Sequence, residues 1–170
     1  MAAVPRHPQR LFACRNRGAP ARPAGFTLLE VLLALAVVSV VAVMAVPSYE
    51  RYRERVRVLR SAKEIADMSV IIARFATDTR AMPASLEAAG LGGRLDPWGR
   101  PYRYVDLTTM HGKGGARKDK QLNPLNSDFD LYSVGKDGET KLPLTPKVSR
   151  DDVVRALDGR FVGLAEDFDP

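Results

Sequence analysis

The stretch AGFTLLEVLLALAVVSVVAVMAVPSY, residues 24–49, carries one carboxylate, Glu30, near the start of an otherwise apolar run. From Phe26 to Val46 there are 21 residues and that single charge. As a helix rising about 1.5 Å per residue they cover about 31 Å, the thickness of a hydrocarbon core. A core helix of a water-soluble domain would show a polar face, but between Val31 and Val46 the only polar side chain is Ser39. The segment reads as a membrane span. A carboxylate at the centre of such a span costs about 2.5–3.5 kcal/mol on insertion scales, and it normally marks a function and has a partner.

The chain has 170 residues, enough for one modest domain beside the span. A formal net charge of +6 first suggests a polyanionic partner. Its location says otherwise. Arg6, Arg10, Arg15, Arg17 and Arg22 lie in the first 25 residues, where there is no acid, and without them 21 basic face 20 acidic side chains. No interleaving of aromatic and basic residues makes a stacking platform, so nucleic acid is not expected as a partner. Cys14, the single cysteine, lies in the same leader, so no disulfide can close the rest of the chain.

In a cleaved secretory signal the apolar stretch precedes the small-residue cut site. Here it follows Gly25, and residues 1–24 are Arg- and Pro-rich. Gly25-Phe26-Thr27-Leu28-Leu29-Glu30, followed by a long apolar run, resembles the class III signal of type IV pilins and type II secretion pseudopilins. The resemblance implies that a prepilin peptidase cuts between Gly25 and Phe26 and that the new amino terminus of Phe26 is N-methylated. It also implies a partner for Glu30, namely the Phe26 amine of a neighbouring subunit, which aligns subunits in a filament. Within one chain the four-residue spacing puts both charges near one helical face. Pairing in low dielectric offsets much of the desolvation cost. Glu30 is thus expected to serve assembly rather than catalysis.

Charge alone does not orient the span, because Arg51, Arg53, Arg55, Arg57 and Arg60 follow it as closely as the leader arginines precede it. The resemblance implies a single-pass inner-membrane protein with a cytoplasmic amino terminus and a periplasmic head. The expected organisation is a removed leader (1–25), a transmembrane helix (26–46), its amphipathic continuation (47–79) and a globular head (80–170). Pro47 marks the end of the apolar run, where proline deletes a helical hydrogen bond. Val56, Leu59, Ala62, Ile65, Ala66, Ser69, Ile72 and Phe75 then recur at spacings of three and four, as in a helix face packed on a domain. The whole is expected to be α+β: one helix from Phe26 to about Thr77 packed on a small antiparallel sheet, pilin-like.

In the head, Pro83 and Gly90 suit the ends of a short helix. DPWGRPYRYVDL, residues 96–107, reads as turns leading into a strand through Tyr102, Tyr104 and Leu107, with Trp98 plugging the core. Residues 108–127 read as an exposed loop, and its Gly112-Lys113-Gly114-Gly115 lacks the spacing of a phosphate-binding loop. His111 stands alone, which excludes a paired-histidine metal site. DFDLYSVGKDGET gives a strand through Leu131, Tyr132 and Val134 and a turn at Lys136-Asp137-Gly138. SRDDVVRALDGR is expected to form a helix capped by Ser149 and ended by Gly159. Phe161, Val162 and Leu164 return as a final strand.

Asp128, Asp130, Asp137, Glu139, Asp151 and Asp152 supply oxygen ligands suited to calcium, although their spacing is not that of an EF-hand. DPWGRPY and DLYSVGKDGE resemble segments of the major pseudopilin of type II secretion, whose head ends in a calcium-holding loop. That resemblance implies a site built from the Val134 carbonyl, Asp137, Ser149 and Asp151 or Asp152, with Glu139 also near. ETKLPLTPKVSRDD stands where the family loop is glycine-rich.

The expected protein is a pseudopilin that polymerises with itself and with minor pseudopilins on an inner-membrane assembly platform, for secretion across the outer membrane. A type IV pilin or minor pilin for adhesion, motility or DNA uptake shares the signal. A membrane-anchored enzyme or a non-assembling binding module is the rival of another class. Beyond the leader the chain has no cysteine and one histidine, so no nucleophile, base and orienter set is evident.

Overall fold

The computed structural model describes residues 25–110 and 112–169. Residues 1–24, Cys14 and His7 among them, lie outside the described residues, as does His111. Helix α1 runs Leu28–Thr79, and four short strands follow, β1 (Arg103–Asp106), β2 (Phe129–Ser133), β3 (Val153–Ala156) and β4 (Phe161–Leu164). The strands form one antiparallel sheet in the order β1-β2-β3-β4, a meander in sequence order. The arrangement is α+β and pilin-like.

The chain divides into two units between Val43 and Met44. In the first, every described residue of α1 is exposed. An 18-residue window of this helix has a mean hydropathy of 2.7, and none of it is buried by the chain itself. In water that surface would be prohibitive; in lipid it is the solvated state. Pro47 sits inside α1 without ending it.

In the second unit, α1 buries Ser61, Ile65, Met68 and Ile72, a stripe at spacings of three and four. Ile65, Met68 and Ile72 pack with Leu91, Tyr102, Phe129, Leu131 and Val153 on one face of the sheet. The stripe begins later than periodicity suggested. Val56 and Leu59 are exposed, and Val58 joins the expected Ala62 on the flank of the core instead. The other face of the sheet is covered too: Val154 and Ala156 pack with Leu125, Leu144, Ala165 and Phe168. Alternation along β3 therefore feeds two cores, Val153 into one and Val154 into the other.

This explains the largest departure from the sequence expectation. The segment from Ser149 to Gly159 is not a helix; its middle is β3, a central strand buried along all four residues. A surface helix offers only one buried stripe, whereas a strand covered on both faces accommodates Val153 and Val154 side by side, and β-branching favours it. Ser149 does not cap a helix: its hydroxyl accepts the Lys141 N–H at 2.9 Å and donates to the Lys141 carbonyl. Residues 84–90 are turns rather than a helix. The Leu91 N–H reaches the Leu86 carbonyl at 2.8 Å around Gly90, whose φ is +72°. So short a segment gains little from helix propagation, and the turn seats Leu86 and Leu91 on the core. The 108–127 segment is not simply exposed either: Ala116, Arg117, Asp119, Leu125 and Asn126 are buried.

Candidate functional site

The amino-terminal motif forms the start of α1. The Thr27 hydroxyl accepts the Glu30 N–H at 3.2 Å, and the Thr27 carbonyl accepts the Val31 N–H. Thr27 is thus the N-cap and Glu30 occupies the third helical position, so the hydroxyl half of a capping box is formed. The Thr-Leu-Leu-Glu spacing carried this signal, and the sequence reading passed over it. A carboxylate there also faces the positive end of the helix dipole. Phe26, Glu30, Val31, Ala34, Leu35 and Val38 line a shallow, almost wholly apolar groove of 390 Å³.

The second candidate region lies in the head, where two turn motifs distant in sequence meet. Asp96 accepts the N–H groups of Trp98 (3.0 Å) and Arg100 (2.9 Å) and the hydroxyl hydrogen of Ser133. Arg100 Nη1 then donates to the carbonyls of Gly135 (2.7 Å) and Lys136 (3.2 Å). DPWGRPY therefore clamps the start of the VGKDG turn. Gly135 has φ +64°, and a Cβ there would lie 2.3 Å from the Asp151 carbonyl oxygen. Only glycine permits that approach.

The residues expected to hold calcium are close in the chain's fold but separately engaged. Asp151 Oδ2 accepts the N–H groups of Lys136 (2.8 Å) and Asp137 (3.0 Å). Asp137 Oδ1 accepts the Glu139 N–H at 2.8 Å. Val134 is a buried core residue after β2, and Ser149 is occupied by Lys141. Asp152 is fully buried, and its Oδ2 accepts from Arg117 Nη2 (2.7 Å) and the Thr140 hydroxyl (2.6 Å). Asp137 and Asp151 are brought together through backbone amides; Ser149 and Asp152 are drawn to other partners. Among the described residues, no group of three or more His, Cys, Asp and Glu is placed to hold a metal ion. The set does not fit an oxygen cage of the six to eight ligands calcium takes.

Sequence reasoning missed Arg117. Its side chain is 1% exposed, its guanidinium lies 4.4 Å from the Tyr132 ring centroid, and its backbone N–H donates to Asp130 at 2.6 Å. Burial raises the carboxyl of Asp130 above its ordinary range, opposed by the Arg117 and Asn126 hydrogen bonds. A single arginine within a Lys- and Gly-rich segment gives no periodic signal of burial. The only hint was a loop too long to leave structureless in a small head.

The family described as Prokaryotic N-terminal methylation motif matches residues 21–46. Neither the curated proteins nor the solved structures contain a match to the chain. The motif implies processing by a prepilin peptidase and pilus-like assembly, and the apolar helix fits membrane anchoring. The chain carries the amino-terminal signature of type IV pilin-like proteins.

Proposed function

We propose that this chain is a pseudopilin, a structural subunit processed between Gly25 and Phe26 and polymerised into a periplasmic filament for type II protein secretion. The observation that carries the reading is the methylation motif at the head of a self-exposed apolar helix whose continuation packs on a small antiparallel head. Phe26 supplies the new amine, Glu30 receives it from a neighbouring copy, and the apolar face of α1 packs among copies. A head without cysteines, held by loops such as DPWGRPY against VGKDG, favours the pseudopilin branch over a disulfide-closed pilin. Its role is structural rather than catalytic, its partners are further copies, minor pseudopilins and an inner-membrane platform, and the head faces the periplasm.

Intact mass of the protein from its native membrane, with and without prepilin peptidase, tests the processing. The expected product begins at methylated Phe26 only when the peptidase is present. Retention of residues 1–25 in both samples would overturn the reading. Deletion of the gene then separates the two filament systems: loss of secreted folded proteins supports the pseudopilin, and loss of surface motility or DNA uptake with secretion intact supports a pilin.

A further inference from the structure

We propose that two guanidiniums, those of Arg100 and Arg117, supply the positive charge that closes the loops of the head, so that the head folds without a divalent cation. The region between Val134 and Asp152 has the makings of a hard-cation site: two turn carbonyls and the carboxylates of Asp137, Asp151 and Asp152. Each of these groups needs a positive partner or an N–H, because desolvated oxygen left unpaired is costly. The chain provides the partners itself.

Arg100 takes the carbonyls. Its Nη1 bridges Gly135 and Lys136, and its guanidinium lies so close to the turn that a Cβ on Gly138 would meet it at 2.5 Å. Backbone amides of the same turn take Asp151. Arg117 takes Asp152: Nη2 meets Oδ2 while Nη1 donates to the Thr140 hydroxyl, which itself donates to the same Asp152 oxygen. The guanidinium thereby joins the 108–127 segment, the 135–149 segment and the residue that leads into β3.

One fully buried acceptor is left over. Asp152 Oδ1 is buried without a hydrogen-bond partner, as is Arg117 Nε. A single buried carboxylate oxygen, with Asp137 and Asp151 already turned to backbone amides through one oxygen each, is far from the six to eight oxygens that calcium gathers at about 2.3–2.6 Å. A divalent ion approaching it would also face the guanidinium on the other oxygen of the same carboxylate, a like-charge contact that low dielectric makes severe. A tethered arginine, unlike a bound ion, is not removed by a chelator. The inference concerns the head alone and holds whether or not the chain assembles into a secretion filament.

The test is thermal unfolding of the full chain in detergent micelles, once with excess EGTA and once with millimolar calcium chloride. The same midpoint in both is expected, since a ligand stabilises only by binding the folded state. A midpoint several degrees higher in calcium would overturn the proposal. Arg117→Lys and Arg117→Gln provide a second reading. Lysine keeps a charge toward Asp152 and should lower the midpoint less than glutamine does; equal losses would show that the charge is not what closes the loops. If Arg117→Gln fails to fold, the comparison of calcium with EGTA on the unaltered chain still decides.

Discussion

Trp98 Nε1 donates to Glu54 Oε1 at 3.0 Å, joining the turn before β1 to a helix residue 44 positions earlier. The indole also packs against the core cluster built on Ile65, Met68 and Ile72. Trp98→Phe keeps an aromatic ring there and deletes the donor. The expected loss is about 1 kcal/mol, the net worth of one such hydrogen bond. Glu54→Gln, which keeps an acceptor, should lose less. Urea unfolding of both variants checks the order, and a larger loss from Glu54→Gln would contradict it.

Gly135→Ala forces a Cβ into the Asp151 carbonyl and asks alanine to hold φ +64°. Backbone cannot retreat as a flexible side chain can, so the turn must open and release both Arg100 and Asp151. A loss of about 1–3 kcal/mol is expected for strain of this kind. Gly93→Ala is the control: its φ is +72°, but nothing lies within 4 Å of the added Cβ. It should cost less, and equal losses would mean that the close approach to Asp151 is not the constraint.

How much of this was legible depends on how local each signal is. The span and the Thr27-to-Glu30 start are written in consecutive residues, so period and composition suffice. The strands around Leu131 and Phe161 are similarly local. β3 was misread because Ser149, the acids and Gly159 form a good helix frame, while the deciding fact is nonlocal: two hydrophobic layers meet at Val153 and Val154. Arg117 was invisible for the same reason. Its burial depends on Asp152, 35 residues away, and no spacing rule connects a loop arginine to an aspartate just ahead of a strand.

Arg155 grips both oxygens of Asp128 at 2.7 Å each, with its guanidinium 4.0 Å from the centroid of the Phe129 ring. The two ends of the pair are unequal: Arg155 is 5% exposed and Asp128 27%. Removing the acid leaves a buried cation with only the neutral Asn126 and Phe129 oxygens as partners, while removing the base leaves a carboxylate that still reaches water. Asp128→Ala is therefore expected to destabilise more than Arg155→Met, which also keeps apolar contact with Phe129. Breaking a fully buried pair costs about 3–5 kcal/mol, and partial exposure of Asp128 should bring both values below that. Denaturant midpoints of the two variants test the order.

Glu30 has two explanations that different substitutions separate. In the capping box, Gln serves at the third position nearly as well as Glu. In an ion pair with the Phe26 amine of another copy, Gln lacks the charge. If pairing dominates, Glu30→Gln and Glu30→Val both insert in the membrane and both fail to assemble. If capping were the whole role, Glu30→Gln would assemble normally. Crosslinking of membrane-extracted filaments reads the difference.

Burial pushes the Asp152 carboxyl from its ordinary 3.8 up to about 6, although Arg117 and Thr140 pull the other way. The desolvation of this pair thus outweighs its attraction, as is common for buried ion pairs. The folded chain then takes up a proton at a higher pH than the unfolded chain. Its contribution to stability is fully present below about pH 4, declines as pH rises towards 6 and is flat above. Other carboxylates titrate in the same window, so the comparison must be with Asp152→Asn, which removes this one titration. The advantage of the unaltered chain over Asp152→Asn should shrink as pH rises from 4 to 6 and then stay constant. A gap that widens over that range would mean that the Arg117 contact dominates and holds the folded carboxyl below its ordinary value.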